Sequence, residues 1–146
     1  MRVLSLLLLA VLVACGGDSS TEPDGPLSIG GTWNFSDQIT ASSVGVSCSS
    51  AGTGTLTQSG STFTGSVNVT VGICSDGLGN QVDNTGLSQV TGGQVNGNQV
   101  SFQMPFCQFT GTISGSPANQ MGGTETCTIA VSGQQVTFTG SWQASR

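Results

Sequence analysis

The sequence contains no histidine, no tyrosine and no lysine, and charged residues make up only 6% of its 146 positions. With only two basic residues the chain lacks the basic surface that nucleic-acid binding requires, so nucleic acid is excluded as a partner. Without histidine, a Ser-His-Asp triad and a histidine metal site are both excluded. Without lysine, there is no Schiff-base chemistry and no Walker-type phosphate loop. We therefore expect a non-enzymatic protein with no metal and no cofactor.

The N-terminus carries an apolar run, Val3–Val13, that is too short to cross the hydrocarbon of a bilayer as a helix. It ends in Leu12-Val13-Ala14-Cys15, which resembles the lipobox of bacterial lipoproteins. The resemblance implies that residues 1–14 are a signal peptide and that Cys15 is the first mature residue and carries the lipid, palmitate or a similar acyl chain. An ordinary secretory signal with a chance cysteine is the alternative.

The segment after this cysteine is polar. Gly16–Pro26 holds three of the seven acidic residues, two prolines and no apolar residue, so residues 15–27 are predicted to be a lipidated cysteine followed by a disordered linker. Gly16 stands where lipoproteins retained in the inner membrane carry aspartate. The resemblance therefore implies a lipid anchor in the bacterial envelope, at the outer membrane or cell surface rather than the inner membrane.

From residue 28 onward apolar and polar residues alternate, and no segment shows the 3.6-residue apolar period of a helix. The clearest run is Phe63–Ile73, in which the odd positions form one apolar or glycine face. Similar runs occur at Val100–Phe106, Cys127–Val131 and Val136–Trp142. This alternation predicts an all-β domain of antiparallel strands over residues 28–146. The predicted strands are 31–40, 52–58, 62–73, 87–95, 99–108, 109–115, 122–131 and 135–144.

Glycine-rich turns separate the predicted strands, and a hairpin with a polar turn and an aromatic residue recurs at 56–65 and 131–140. Repeated hairpins favour an up-and-down meander closed into an eight-stranded barrel, which leaves no exposed edge. A β-sandwich is the alternative. The apolar phase changes between Phe106 and Phe109, which predicts a bend, bulge or turn near Cys107-Gln108.

Gly31-Thr32-Trp33 opens the first predicted strand and resembles the Gly-x-Trp that opens lipocalin-like and avidin-like barrels. In those families the tryptophan closes one end of the barrel, and an arginine from the last strand or just after it packs over the ring. The resemblance implies a plug formed by Trp33 and Arg146. A frayed terminal arginine is the alternative. The chain does not match the avidin set of biotin ligands, so biotin binding is not expected.

Four cysteines remain after Cys15, an even number that suggests disulfides in a small exported domain. A hairpin turning at Gly60-Ser61 and another turning near Pro117-Ala118 each place two cysteines opposite one another. The absence of any Cys-x-x-Cys pair argues against zinc. The predicted disulfides are Cys48–Cys74 and Cys107–Cys127.

The residues that are predicted to face the barrel interior form the candidate ligand site. A barrel of eight strands either holds one small ligand or is filled by its own side chains, and both alternatives stay open. The inward glycines at positions 65, 111 and 140 either allow the strands to bend or leave room for a ligand. The wider inward set includes Val67, Val69, Val100 and Ile113. The candidate ligand-lining residues are Phe35, Phe63, Phe102, Met104, Phe138 and Trp142.

The acidic residues of the domain form no marked pair. Asp37 interrupts the apolar face of the first strand, and Glu125 shares the phase of Cys127, either near a barrel mouth or as a polar anchor inside. An enzyme of the glycosidase type would need a buried carboxylate pair in a cleft. The loop Asp76–Asn84 has oxygen ligands for calcium but not their EF-hand order, and we interpret it as a solvated loop.

These patterns predict a monomeric, lipid-anchored envelope protein with a small non-enzymatic β-barrel. Its candidate partners are the membrane, through Cys15, and a small apolar ligand. The alternative is a structural or adhesive envelope module with a filled core, whose outer face of Thr, Ser and Gln meets partners or glycans.

Overall fold

The computed structural model describes residues 26–131 and 133–146, and this part of the chain is all β. The predictions for residues 1–25, including the lipidated Cys15, lie outside the described residues. Within the described ranges no helix is long and apolar enough to span a membrane. The strands are β1 Gly31–Ala41, β2 Val46–Ser59, β3 Thr62–Asp76, β4 Gln81–Asp83, β5 Gly86–Asn96, β6 Gln99–Met104, β7 Cys107–Ser114, β8 Gln120–Val131 and β9 Gln134–Ser145.

The eight long strands form one antiparallel sheet that closes on itself. Each long strand pairs with the next along the chain, and β9 returns to pair with β1 over residues 34–40. This closure confirms the predicted up-and-down, eight-stranded, lipocalin-like barrel and excludes the β-sandwich, because every long strand has a neighbour on both sides. The additional strand, β4, pairs with Ile73–Ser75 at the end of β3.

A β-bulge changes the expected face of β3. Ala51 pairs with Val71 and Gly52 with Val69, so Thr70 has no partner on β2. The extra residue reverses the alternation, so that Val71 and Ile73, predicted to continue the inward face, are 61% and 44% exposed. The same shift lets the even-numbered Cys74 approach Cys48.

The strand boundaries differ most from the predicted ones at the start of β2 and around the β6–β7 turn. β2 begins at Val46 rather than at residue 52, because the stretch pairs with β1 and β3 and buries Cys48 and Ser50. The turn expected near Cys107-Gln108 lies at residues 105–106, where Phe106 has a φ of 67° and is 72% exposed. Proline cannot donate to a strand ladder, so β6 ends before Pro105, at Met104, four residues before the predicted end at 108. β7 begins at Cys107, two residues before the predicted start at 109.

One end of the barrel, the closed end, is sealed by Trp33. Its ring is 2% exposed, its Nε1 donates to the carbonyl oxygen of Ile29 at 2.8 Å, and the Arg146 guanidinium carbon lies 4.5 Å from the ring centroid. Arg146 also donates to the carbonyl oxygens of Ala118, Gly30 and Ser28 at 2.7–3.1 Å. The last residue of the chain thus connects the β7–β8 loop to the segment before β1.

Aromatic side chains fill the half of the barrel next to the closed end. Phe102 stacks on Phe109 with ring centroids 4.6 Å apart and meets the edge of Trp142 at 5.1 Å. Phe35 and Phe63 extend this cluster at centroid distances of 5.9 Å. The void left among them measures about 20 Å³, close to the space of a single water molecule. This half of the barrel is therefore a packed core.

The opposite end, which we call the mouth, carries both disulfides. Cys48–Cys74 joins β2 to β3 and Cys107–Cys127 joins β7 to β8, which confirms the predicted pairings. All four cysteines belong to a second apolar cluster, around Phe138, that is distinct from the aromatic core. The disulfides thus tie together the ends of two hairpins at the mouth.

The inward glycines allow neighbouring strands to approach closely. A Cβ at Gly140 of β9 would collide with the carbonyl oxygen of Gln38 and lie 2.7 Å from the Cα of Ile39, both on β1. Backbone atoms of an adjacent strand likewise occupy the Cβ positions of Gly65 and Gly111. Of the two roles open to these glycines, the bending and closure of the barrel is the one that their surroundings favour.

Replacing Arg146 tests the sealed end. Arg146→Met keeps the apolar stem but loses the charge over Trp33 and the three hydrogen bonds, so we expect about 1–3 kcal/mol less free energy of unfolding in urea. Arg146→Lys keeps the cation but not the planar fork of donors, and should fall between Met and the wild type. Equal stability of all three proteins would show that the terminal arginine contributes nothing.

Candidate ligand-binding site

A pocket of about 380 Å³ opens at the mouth of the barrel. Phe109 and Glu125 lie at its inner end, and side chains from most of the strands form its wall. The wall is largely apolar and includes both disulfides. Its principal apolar members are Ile39, Val46, Val69, Leu87, Met104 and Phe138.

The six predicted ligand-lining residues divide between the two halves of the barrel. Met104 and Phe138 line the mouth pocket. Phe35, Phe63, Phe102 and Trp142 belong instead to the packed surroundings of the 20 Å³ void. The period-two pattern gives the inward face but not the depth along the barrel axis, so it could not separate these two groups.

Two carboxyl groups lie on the inner side of the barrel beside this pocket. Asp37 on β1 follows Trp33 and Phe35 in the inward phase, and Glu125 on β8 is only 3% exposed. Gly140 of β9 lies between their strands, pairing with Ile39 on one side and with Glu125 on the other. Backbone atoms of β1 occupy the Cβ position of Gly140, so a glycine here lets β1 and β9 pack closely beside the two acids.

Each of these carboxyl groups has a buried oxygen without a partner. Oδ1 of Asp37 and Oε1 of Glu125 accept no hydrogen bond from any described residue. Burial raises the pKa of Glu125 to about 8, and the charge of Asp37 adds to the rise. Burial also raises the pKa of Asp37, while hydrogen bonds from Ser50 oppose that rise. A buried polar group without a hydrogen-bond partner lowers the free energy of unfolding, so its presence calls for a specific explanation.

The sequence did contain a signal for this pair. Asp37 occupies an inward position between Phe35 and Ile39, where an ordinary core strand would carry an apolar residue. Glu125 shows the same anomaly two positions before Cys127. What the sequence could not give is their proximity, because they are 88 positions apart and meet only when β9 closes against β1.

The loop considered for calcium uses its acids internally. The Asp76 carboxylate accepts hydrogen bonds from the backbone of Leu78 and Asn80 and from the Asn80 side chain at 2.7–2.9 Å, and these bonds lower its pKa. Asp83 accepts from the Thr85 backbone at 2.7 Å, and hydrogen bonding to Thr85 lowers its pKa. Among residues 26–131 and 133–146, no group of three or more Cys, Asp or Glu side chains converges as metal ligands would.

Exposed apolar side chains surround the mouth. They come from loops and strand ends on both sides of the opening. Apolar residues so grouped on a surface commonly mark a binding region. They are Val44, Val71, Ile73, Leu78, Val82, Leu87, Phe106 and Ile129.

The outer wall has two shallower concavities, of about 510 and 670 Å³, along β1, β2 and β9. Both are larger than the mouth pocket but open to solvent. Outward residues such as Ser36, Gln38 and Gln143 contribute to their surface, and polar atoms form at least half of it, whereas the wall of the mouth pocket is mainly apolar. Small-molecule sites are usually enclosed and mostly apolar. By that criterion the mouth pocket is the stronger candidate.

Comparison with protein-family models, with curated proteins and with solved structures found no match for this chain. Its own fold and site therefore define its class. It contains a small, disulfide-linked, eight-stranded antiparallel barrel with a pocket at the open end.

Glu125→Gln tests the internal acid through the pH dependence of stability. The folded pKa of about 8 lies above the ordinary 4.5, so between these values the folded protein binds more protons than the unfolded chain. The free energy of unfolding of the wild type should therefore decrease as the pH rises through this window. A glutamine side chain cannot ionise, so the variant should lose most of that decrease and be more stable than the wild type above pH 8, by several kcal/mol.

The measurement is urea unfolding at several pH values. Asp83→Asn is the control, since this carboxylate is fully exposed and its pKa is lowered. The control should keep the decrease towards high pH. Parallel pH profiles for the Glu125→Gln variant and the wild type would mean that Glu125 is not the source of the effect.

Proposed function

We propose that this protein is a lipid-anchored protein of the bacterial envelope, at the outer membrane or cell surface, whose non-enzymatic barrel binds a small, mainly apolar ligand at its mouth. The observation that carries the binding role is the 380 Å³ apolar pocket at the open end. Its volume lies in the range of small-molecule sites, and such sites commonly occupy the mouths of β-barrels.

The surroundings of the pocket support a preformed binding site. Two disulfides fix the ends of β2, β3, β7 and β8 where the wall is formed. A wall held in place before the ligand arrives loses less conformational entropy on binding. The exposed apolar residues around the mouth, such as Leu87 and Phe106, give an apolar molecule a surface to contact before it enters.

The pair Asp37 and Glu125 has the raised pKa values found at catalytic sites, and it also meets the requirement for a buried pair of acids. We nevertheless assign binding. A glycosidase must hold a polar sugar between its carboxyls, whereas the wall of this pocket is largely apolar. Its neutral polar side chains come from Ser50, Asn84, Thr85 and Ser88 alone among the described lining residues. Apolar walls with few polar groups suit recognition of an apolar molecule with one polar end.

The anchor and the pocket are compatible in space. The described chain enters at the closed end, where Ser28 and Gly30 contact Arg146, whereas the pocket opens at the other end. A tether on Cys15 would therefore leave the barrel opposite the pocket. Anchoring of this kind does not require the mouth to be covered by the membrane.

Cys15→Ala tests the anchor. In a bacterium that processes lipoproteins, the wild type should incorporate labelled palmitate and sediment with membranes, and the variant should do neither, since it has no thiol to acylate. Ser20→Ala in the linker is the matched control and should behave as the wild type. Equal labelling of the Cys15→Ala variant would contradict lipidation at this residue.

Met104→Trp tests the pocket. The neutral dye N-phenyl-naphthylamine, which fluoresces in apolar surroundings, should bind the wild type. A larger ring at the pocket wall should weaken the binding at least about tenfold, because it takes up the space that the dye needs.

Thr126→Trp, on the exposed face of β8, is the control for adding an indole and should bind the dye as the wild type does. Circular dichroism shows whether each variant retains its sheet. Dye binding that Met104→Trp leaves unchanged would place the apolar site elsewhere.

The alternative, a structural or adhesive module, rests on the concavities of the outer wall. Their Ser, Thr and Gln side chains offer hydrogen bonds to a polar partner. A folded protein that binds no apolar dye but retains binding to envelope glycans would favour this second function.

A further inference from the structure

One oxygen of each internal carboxyl group has no hydrogen-bond donor among the described residues. Glu125 is 97% buried, given its 3% exposure, and lines the mouth pocket; its Oε1 has no hydrogen-bond partner among the described residues. Asp37 lines the same pocket and has one such oxygen as well. Acceptor oxygens that face a pocket and have no donor of their own are suited to a ligand that carries hydrogen-bond donors.

The barrel supplies no cation of its own to this pair. Arg146 is the only basic side chain in the described part of the chain, and it lies at the closed end, over Trp33. Its guanidinium already donates to three carbonyl oxygens there. A cation that pairs with these carboxyl groups would therefore have to come from outside the described part of the chain.

We propose that the mouth pocket binds a small amphipathic amine, whose apolar body lies against the pocket wall and whose ammonium group donates to the carboxyl groups of Asp37 and Glu125. This inference rests on the proposed binding function and specifies its ligand class. An ammonium group carries up to three N–H donors and a single charge, which suits two carboxyl groups with one unpartnered oxygen each.

The other ligand classes fit the pocket less well. A divalent metal such as calcium needs six to eight oxygen ligands, whereas among the described residues no third acidic side chain converges with Asp37 and Glu125. The other oxygen-bearing side chains of the pocket, from Ser50, Asn84, Thr85 and Ser88, are neutral. An anion would be repelled by the acids. An uncharged apolar molecule would fill the wall region but leave Oδ1 of Asp37 and Oε1 of Glu125 without donors.

Negative charge around the mouth also favours a cationic ligand. Asp76 and Asp83 are exposed in the loop region at this end, and their lowered pKa values keep them ionised at neutral pH. Negative charge at the entrance of a cleft raises the local concentration of cations. This effect acts on the approach of the ligand, whereas the internal pair acts on the bound ammonium.

Binding of an ammonium should also displace a proton. In the free protein, burial and the charge of Asp37 keep Glu125 protonated in much of the population at neutral pH. An adjacent positive charge favours the ionised carboxylate, so the proton of Glu125 leaves to solvent as the amine binds. The described groups that titrate at this end are Asp37, Asp76, Asp83 and Glu125, since the cysteines here form disulfides.

The test compares phenethylamine with phenethyl alcohol, which has the same apolar body and a hydroxyl in place of the amine. Isothermal titration calorimetry with the full chain at neutral pH should give at least about tenfold tighter binding of the amine. The amine should release protons, seen as a binding enthalpy that depends on the ionisation enthalpy of the buffer. The alcohol should release none.

Variants distinguish the contribution of Asp37 and Glu125 to amine binding from that of the exposed negative charge around the mouth. Glu125→Gln and Asp37→Asn should each reduce the preference for the amine about tenfold and leave the alcohol within about threefold of the wild type. Glu125→Gln should also abolish proton release. Asp83→Asn removes an exposed acid near the mouth and should preserve the preference for the amine. Circular dichroism monitors the fold of each variant.

The outcomes distinguish this inference from the function on which it rests. Equal binding of the two probes, or an amine preference that both internal variants retain, overturns the amine site and leaves an apolar pocket as proposed. Binding of neither probe, together with no binding of the neutral dye, overturns the proposed function as well.

Discussion

The pairing of β9 with β1 is the contact on which the rest of the molecule depends. It converts a chain of hairpins into a closed wall and leaves no long strand with an open edge. It joins residues about a hundred positions apart, so its formation fixes a large loop of chain. The same contact brings Trp33 under Arg146 and places Asp37 and Glu125 on the two strands that flank β9. The sealed end and the internal acids are therefore both consequences of closure.

The two ends of the barrel are stabilised by different means. At the closed end, rings from several strands pack until almost no space remains, and Trp33 and Arg146 cover them. At the mouth the aromatic packing stops, and covalent bonds hold the hairpin ends together. A disulfide restrains the chain without filling the interior. This difference explains how a domain of this size combines a well-packed core with a pocket.

The internal acids bear a cost that the fold does not require. A valine or leucine at position 37 or 125 would bury apolar surface without the desolvation penalty of a carboxyl group. Both acids occur next to the pocket rather than within the packed aromatic half. Polar groups that lower stability at the edge of a cavity are typical of binding and catalytic sites. The location of the pair thus connects it with the pocket more than with the core.

The class of fold, the inward faces of most strands and the cysteine pairs could be predicted from the amino-acid sequence, because alternation and hairpin register are local properties that neighbouring residues encode. The lipobox motif around Cys15 is equally local. Three features were decided only in the tertiary structure: the bulge at Thr70 that turns Val71 outward, the division of the interior into core and pocket, and the approach of Asp37 to Glu125. The bulge depends on the detailed pairing of β3 with β2, and the other two features depend on how strands distant in sequence are staggered around the barrel. A period of two residues carries no information about either.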